Sequence, residues 1–286
     1  MTKTIKLGGI RTTFEDEGEG SVLLLIHGHP FDRSMWYPQI KVFASRGRRV
    51  LAPDLRGYGE TAAGGRKTTL DVFAEDLSDL LRALSVQEPV VLCGLSMGGQ
   101  IAMEFCKRHP ERVGGLALVA TSPQKETPVG KRSRVSTAIR LRTEGMRRYA
   151  NEMLPKMLAQ TTITSRPELS LYVLQMMRAA PADGCAAALL GRAERPGYED
   201  VLSTFTHPSL VVAGDGDSFT SKGHASLMHK LLNGSEFVWM KGVGHMPNLE
   251  AAEDFNAALS RLLSRVDSAR SAIVEPIHSP HAAARP

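Results

Sequence analysis

Short runs of consecutive apolar residues alternate with helical patterns along the first part of the chain. Four such runs stand at 22–26, 50–53, 90–93 and 116–120. Runs that are apolar at nearly every position are typical of strands buried on both faces of a sheet. Strands that alternate with helices at this spacing predict right-handed crossovers, and therefore a mostly parallel, doubly wound α/β sheet.

Shorter patterns extend and cover this sheet. Residues 3–7 and 10–15 flank a Gly-Gly pair, a spacing that predicts a β-hairpin at the antiparallel edge of the sheet. A helical pattern then begins at Ser34, a candidate N-cap, and another spans 70–84.

The alternation of strands and helices stops between about 123 and 207. No comparable buried strand is predicted there, and Pro155 and other prolines break the helical patterns. These patterns lie at 138–149, 168–177 and 184–193. The segment is therefore predicted to be an inserted helical cap rather than a separate fold.

The predicted organisation is one α/β core, residues 1–122 and 208–266, that carries a cap at 123–207. An amphipathic helix closes the core. After Val266 the sequence turns to Ser, Pro, His, Ala and Arg, so residues 267–286 are predicted to form a disordered tail.

Composition excludes several classes of protein. No run approaches the roughly 20 apolar residues of a membrane span, and the N-terminus lacks the apolar core of a secretory signal, so a cytoplasmic protein is expected. Cys93, Cys106 and Cys185 are expected to be reduced and buried. The net charge of +5 comes partly from basic residues at 131–148, which are interpreted as a solvated helix face rather than a nucleic-acid site. The sequence is compatible with a homo-oligomer.

The strongest chemical signal is Gly-Leu-Ser-Met-Gly at 94–98. It stands between a buried strand pattern and a helical pattern, so Ser96 is expected on a sharp strand-to-helix turn. The flanking glycines let strand and helix approach closely while the serine takes a strained conformation with its Oγ exposed. Met97 begins the helix, so its unpaired N–H points to where negative charge would collect.

This context is that of a nucleophile elbow, and the sequence resembles the α/β-hydrolase family. The motifs Gly-Leu-Ser-Met-Gly-Gly at 94–99 and Gly-His-Met-Pro-Asn-Leu-Glu at 244–250 are similar to those of the branch that contains esterases, 3-oxoadipate enol-lactonases and cofactor-free haloperoxidases. Leu95 differs from the asparagine that is frequent in relatives that cleave carbon–carbon bonds. Ser96 differs from the aspartate of epoxide hydrolases and haloalkane dehalogenases.

A serine nucleophile needs a base to take its proton, and the base needs a carboxylate to hold its tautomer. The resemblance implies the order Ser, acid, His, with the last two after strand patterns at 210–214 and 237–240. His245 follows the second strand and is the predicted base. Asp217 fits the family's Gly-x-x-Asp pattern and is the predicted acid, with Asp215 as the competitor.

Asp54 stands in a second family-like motif, Asp-x-Arg-Gly-x-Gly at 54–59. Its predicted role is structural, because a carboxylate at this position can bind loop amides and Arg56.

The oxyanion of an acyl-transfer intermediate needs two hydrogen-bond donors. The N–H of Met97 is one, and the resemblance assigns the other to the backbone N–H of His29, within His-Gly-His-Pro at 27–30. Gly28 permits close approach there, and Pro30 is compatible with a cis peptide bond. The His-x-His spacing has no third ligand near it in the motif order, so neither a metal site nor a cofactor is predicted.

These residues predict a serine hydrolase that cleaves a carboxylic ester or lactone through an acyl-enzyme. The cap is expected to supply most of the pocket and to favour a small or medium apolar substrate. Its apolar side chains are nevertheless expected to serve more often as cap core than as pocket lining: Met146, Met153, Leu154, Met157, Leu158, Leu171, Leu174, Met176 and Met177. The alternatives on the same triad are a lyase or cyclase and a haloperoxidase-like perhydrolase. A non-catalytic receptor is a further alternative, weakened because the triad and both oxyanion loops are present.

Overall fold

Within residues 1–274, which the computed structural model describes, eight strands form one sheet. They lie side by side in the order β1-β2-β4-β3-β5-β6-β7-β8. The strand β2 is antiparallel to both of its neighbours, and the other pairs are parallel. The predicted mostly parallel α/β sheet with an antiparallel edge is confirmed. The strands are β1 Thr2–Leu7, β2 Ile10–Glu17, β3 Val22–Ile26, β4 Arg49–Pro53, β5 Val90–Leu95, β6 Val113–Val119, β7 Ser209–Gly214 and β8 Glu236–Met240.

Helices connect these strands, and six of those described fall between β6 and β7, where the cap is predicted. The helices are α1 Tyr37–Ala44, α2 Leu70–Ala83, α3 Met97–Arg108, α4 Pro128–Glu144, α5 Met146–Met157, α6 Gln160–Ser165, α7 Pro167–Ala179, α8 Ala182–Arg192, α9 Glu199–Ser203, α10 Lys222–Leu231, α11 Pro247–Glu250 and α12 Ala252–Val274. None of these helices combines the length and the apolar content needed to cross a membrane.

The two faces of the sheet carry two hydrophobic cores. Leu24 and Ile26 of β3 pack on the face covered by α2 and α3, whereas Leu23 and Leu25 pack on the face covered by α1 and α12. All four side chains are fully buried. Each fully buried leucine stabilises the fold by about 1.5–3 kcal/mol. A central strand of this sheet therefore carries apolar residues on both faces, whereas a half-exposed strand has polar residues on one face.

The predicted hairpin between β1 and β2 is confirmed. Leu7 pairs with Ile10, which leaves a two-residue turn of Gly8 and Gly9. Both glycines have positive φ, +51° and +86°. A two-residue turn of this hand suits the twist of the flanking strands and requires residues that tolerate positive φ.

The predicted helix starts and breaks are wrong in three places. Asp32, not Ser34, caps the turn before α1, because its carboxylate accepts the Ser34 N–H at 2.8 Å. The helix expected at 138–149 is two helices, since Gly145 takes a φ of +73° between α4 and α5. Pro155 does not break the second of these, but lies inside it near its C-terminal end.

Part of the predicted disordered tail is helical. Helix α12 continues to Val274, so residues 267–274 are helical rather than disordered. Polar contacts hold this extension: Arg48 pairs with Asp267, and Arg270 donates to the Ser21 hydroxyl at 3.0 Å and to the Pro89 carbonyl. The rest of the predicted tail, 275–286, lies outside the described residues.

Candidate active site

Ser96 occupies the sharp turn between β5 and α3, with φ +55° and ψ −111°. This strained backbone is held from both sides. The Ser96 N–H donates to the Val119 carbonyl at 2.8 Å, and the Thr121 hydroxyl donates to the Ser96 carbonyl at 2.8 Å. A Cβ on Gly94 would collide with the Gly98 carbonyl, so the close packing of strand against helix needs a glycine there. The predicted elbow is therefore present.

His245 stands after β8, and its ring lies against Asp217 in the loop after β7. The distance from Nδ1 of His245 to each carboxylate oxygen of Asp217 is 2.9 Å. Both side chains are buried, at 2% and 0% exposure. A carboxylate placed in this way fixes the proton on Nδ1 and leaves Nε2 free to accept another.

The carboxylate of Asp217 is also held by the backbone. The Phe219 N–H donates to Oδ1 at 2.7 Å. Burial acts to raise the pKa of Asp217, but the neighbouring His245 and the amides of Phe219 and Thr220 outweigh burial, so that the net pKa is lowered. Asp217 is therefore ionised at neutral pH, which is compatible with the predicted role as the acid.

Asp215, the competing aspartate, points elsewhere. It is exposed, and its carboxylate accepts the Gly242 N–H at 2.7 Å. The structure brings Asp217 to His245 and leaves Asp215 on the surface.

Ser96 and His245 line one cavity of about 470 Å³. The loops that carry Ser96, Asp217 and His245 follow β5, β7 and β8. These strands are parallel, so their carboxyl ends meet at the same edge of the sheet, where open α/β sheets place their ligands.

The two predicted oxyanion donors are the backbone N–H groups of Met97, which follows Ser96 in the chain, and of His29, which lies in the loop after β3. Met97 is the first residue of α3, so its N–H has no acceptor within that helix. The loop that carries His29 reaches the elbow at Gly28, where a Cβ would stand 3.0 Å from the Leu95 carbonyl oxygen and 3.4 Å from the Ser96 Cβ. The His29–Pro30 bond is cis.

Both histidines of the His-x-His motif use their ring nitrogens to hold this loop. His27 Nδ1 donates to the Gly28 carbonyl at 2.9 Å, and Nε2 accepts the Leu55 N–H at 3.0 Å. The ring nitrogens of His29 bond to the hydroxyls of Tyr58 and Tyr149 at 2.8 and 3.1 Å. These contacts account for the spacing, and no group of three potential metal ligands is found in residues 1–274.

Asp54 has the predicted structural role with a different partner. Its carboxylate accepts the Arg33 and Glu60 N–H groups, at 2.9 and 2.8 Å, and pairs with the Arg33 guanidinium. Arg56, the partner expected from the motif, pairs instead with Asp76.

The apolar cap residues contribute little to the cavity. Of the nine named from the sequence, Met153 and Met157 line it. The others either lie in the core of the cap, as expected, or lie on its surface. Met177 is an example of the first, with 0% exposure, and Leu171 of the second, with 51%. An apolar lid over the reaction centre is therefore only part of the pocket.

Basic side chains that sequence reasoning missed complete the lining: Lys125, Arg134, Arg192 and Arg195. Arg134 belongs to the stretch interpreted as a solvated helix face, and that interpretation is wrong for it. Arg192 did leave a signal, because it ends a run of small and apolar residues at 184–191 in which a charge is unexpected.

Comparison with known proteins shows the family to which this chain belongs. A family model described as the alpha/beta hydrolase fold matches residues 21–252. This protein belongs to the α/β-hydrolase family. The match spans the strand before the His-Gly-His-Pro loop, the elbow, the cap and the loops that carry Asp217 and His245.

Two solved structures and one curated relative show which members of the family this α/β-hydrolase is similar to. A thermophilic esterase from Thermogutta terrifontis, solved with malate bound, is 36% identical with a TM-score of 0.89, over 93% of this chain and 99% of the esterase. The enol-lactonase from Burkholderia xenovorans LB400 shares the fold at 24% identity, with a TM-score of 0.85 over 92% and 100% of the two chains. The dihydrolipoyllysine-residue acetyltransferase component of the acetoin cleaving system of Pseudomonas putida is 30% identical over 265 residues, 90% of this chain and 68% of the relative. The esterase and lactonase neighbours confirm the resemblance drawn from the motifs, and this α/β-hydrolase is a hydrolytic enzyme.

Proposed function

We propose that this enzyme cleaves carboxylic esters or lactones with Ser96 as nucleophile, His245 as general base and Asp217 as the acid that orients it. The observation that carries the proposal is that His245, buried and 2.9 Å from Asp217, lines the same cavity as Ser96, which is held in a strained turn. A strained backbone at this position is the kind of feature that functional sites retain.

The first step of the proposed reaction acylates the enzyme. His245 takes the hydroxyl proton of Ser96 on Nε2 as Oγ bonds to the acyl carbon. The electron pair of the carbonyl moves to its oxygen, which the N–H groups of His29 and Met97 stabilise. The C–O bond to the alcohol then breaks, and the leaving oxygen takes the proton from His245. In a lactone the leaving oxygen stays attached to the acyl group.

The second step releases the acid by the same route. His245 takes a proton from water as the water oxygen bonds to the acyl carbon, and the bond from that carbon to Ser96 Oγ breaks with return of the proton to Oγ. Each oxyanion donor contributes about 10²–10³ in rate in enzymes of this chemistry. No cofactor is needed to balance either step.

A cavity of about 470 Å³ suits a small or medium acyl group and alcohol. Met153, Met157 and Leu189 give it an apolar wall, which supports the expectation of apolar contacts with part of the substrate. The basic residues of the same cavity require that another part of the substrate be polar.

A panel of aliphatic esters, lactones and thioesters tests the proposal. We expect the protein to hydrolyse several of them, and Ser96→Ala and His245→Ala each to reduce turnover by about a thousandfold or more. Undiminished activity in either variant would refute the mechanism. Labelling by a serine-directed fluorophosphonate without hydrolysis of any panel member would instead favour a lyase or cyclase on the same triad.

A further inference from the structure

Arg192, at the C-terminal end of α8, is a buried cation that lines the cavity. It is 7% exposed, and its Nε donates to the side-chain oxygen of Gln100 at 3.1 Å. Within residues 1–274 this bond from Nε is the one side-chain hydrogen bond that Arg192 makes, so its two terminal guanidinium nitrogens have no protein partner, and it forms no salt bridge. Two adjacent donors of the guanidinium therefore remain free at the cavity.

A charge in this position is costly while the cavity holds only water. Burial lowers the pKa of Arg192, and the charges of Arg134 and Arg195 lower it further. Buried charges in proteins are normally paired, because the loss of hydration costs several kcal/mol per ion. No carboxylate among residues 1–274 pairs with Arg192 to offset this cost, so the pairing partner is expected to be a ligand.

The carboxylate that lines the cavity does not serve as that partner. Glu126 is 8% exposed and binds the guanidinium of Arg134, and it also accepts the Thr127 N–H at 3.1 Å. Among the described lining residues Glu126 is the acidic one, and it faces a larger set of basic ones: Lys125, Arg134, Arg192 and Arg195. The cavity is therefore positively charged overall.

Arg192 lies beside the reaction centre rather than at a separate surface. Its partner Gln100 stands one helical turn after the nucleophile, and the Gln100 N–H donates to the Ser96 carbonyl at 3.2 Å. After burial, the charge of Arg192 is the largest influence that lowers the pKa of His29, the predicted oxyanion residue. A ligand on the guanidinium would share the cavity with Ser96.

We propose that Arg192 binds a carboxylate of the substrate, so that this enzyme acts on anionic esters or lactones such as monoesters of short dicarboxylic acids. The inference rests on the proposed ester hydrolysis and names its substrate class. Two parallel N–H groups of a guanidinium match the two oxygens of a carboxylate, and a bidentate pair of this kind fixes orientation as well as affinity. Arg134 and Arg195 strengthen the positive potential around it.

The kinetic test compares monomethyl and dimethyl esters of malonate, succinate, glutarate and adipate. We expect the wild-type enzyme to prefer the monoester in kcat/KM at one chain length or more. In Arg192→Met the ratio of monoester to diester kcat/KM should fall by about ten- to a hundredfold, the range for the loss of a charged hydrogen-bonded pair. Because it is a ratio, this readout does not depend on the fraction of variant that folds.

Two further variants sharpen the result. Arg192→Lys keeps the charge without the guanidinium fork and should retain part of the preference. Arg178→Met removes a cap arginine whose side chain is exposed and bonds to Asn151, outside the cavity, and should leave the ratio unchanged. A ratio in Arg192→Met within twofold of wild type, or a wild-type preference for the diester at every length, would overturn the proposal.

A binding measurement separates this inference from the proposed function. Succinate and glutarate should raise the melting temperature of the Ser96→Ala protein, and not that of Ser96→Ala combined with Arg192→Met. If no ester is hydrolysed but this Arg192-dependent shift is seen, the proposed function fails and the carboxylate site stands. An equal shift with sulfate at the same ionic strength would point to a general anion site and overturn the assignment to a carboxylate.

Discussion

Replacement of Asp217 by asparagine should inactivate the enzyme through the tautomer of His245. The Phe219 N–H donates to Oδ1 of Asp217, so in Asp217→Asn the amide oxygen takes that position and the NH₂ group takes the position of Oδ2. That group then lies 2.9 Å from Nδ1 of His245 and donates to it. The imidazole proton moves to Nε2, which can no longer accept the proton of Ser96.

The size of the effect follows from this change of tautomer. In the serine protease triad the same substitution lowers kcat by about 10⁴-fold, equivalent to about 5.4 kcal/mol of transition-state stabilisation. We expect a loss of kcat of similar order with p-nitrophenyl acetate at pH 8. Circular dichroism and the melting temperature would show that the variant folds.

Asp215→Asn is the matched control, because it changes the same group two residues away. Its amide oxygen can still accept the Gly242 N–H, and its side chain is exposed. We expect kcat/KM within about threefold of wild type, as for most surface substitutions. A larger loss of kcat/KM in Asp215→Asn than in Asp217→Asn, or a loss of less than tenfold in Asp217→Asn, would refute the assignment of Asp217.

Three further predictions concern the parts that support the site. Thr121→Val removes the hydrogen bond to the Ser96 carbonyl, so it should lower the free energy of unfolding by about 1 kcal/mol and reduce kcat severalfold. Thr121→Ser keeps the hydroxyl and should change neither quantity. Equal values for the two variants would contradict this prediction. Gly98→Ala places a Cβ against a backbone carbonyl of β3 and should lower the free energy of unfolding in urea by at least about 3 kcal/mol. In Gly223→Ala the new Cβ meets only ordinary contacts, so the free energy of unfolding should not change. Similar values for the two variants would refute the steric explanation. Burial acts to raise the pKa of Asp16, but its bonds to a neighbouring arginine and lysine lower it overall, so its stabilising contribution is complete above its unfolded pKa of about 3.9 and is lost as pH falls through the lower folded value. The difference in unfolding free energy between wild type and Asp16→Asn should therefore shrink from pH 6 to pH 3, and a constant difference would contradict the assignment.

The sequence predicts the sheet and the elbow well because their physics is local. The glycines around Ser96 are required by contacts with residues close in sequence and with one neighbouring strand. A buried parallel strand can be recognised in the sequence by its continuous run of apolar residues. The same locality explains the hairpin at Gly8 and Gly9.

The preference for Asp217 over Asp215 came from the family pattern rather than from local physics. Both residues lie in one loop, and the direction of each side chain depends on the loop backbone. In the structure the Phe219 amide and His245 converge on Asp217, while Gly242 takes the other carboxylate. The contacts with His245 and Gly242 join segments that are distant in sequence.

The character of the pocket was predicted least well, for a related reason. Composition showed a cap rich in methionine and leucine, but not which faces of α4 and α8 turn toward the reaction centre. Arg134 sits among basic residues that do lie on the surface, so its different position is decided by how α4 packs on α8. Periodicity alone could not show this.

The most direct test of the central claim is to locate the covalent adduct. The native protein would be treated with a fluorophosphonate, digested, and the modified residue identified by mass spectrometry, with His245→Ala in parallel. We predict one adduct, on Ser96, formed rapidly by the wild type and far more slowly by His245→Ala, because the base that activates the hydroxyl is lost. Failure of the folded wild type to react, or an adduct on another residue, would contradict the account.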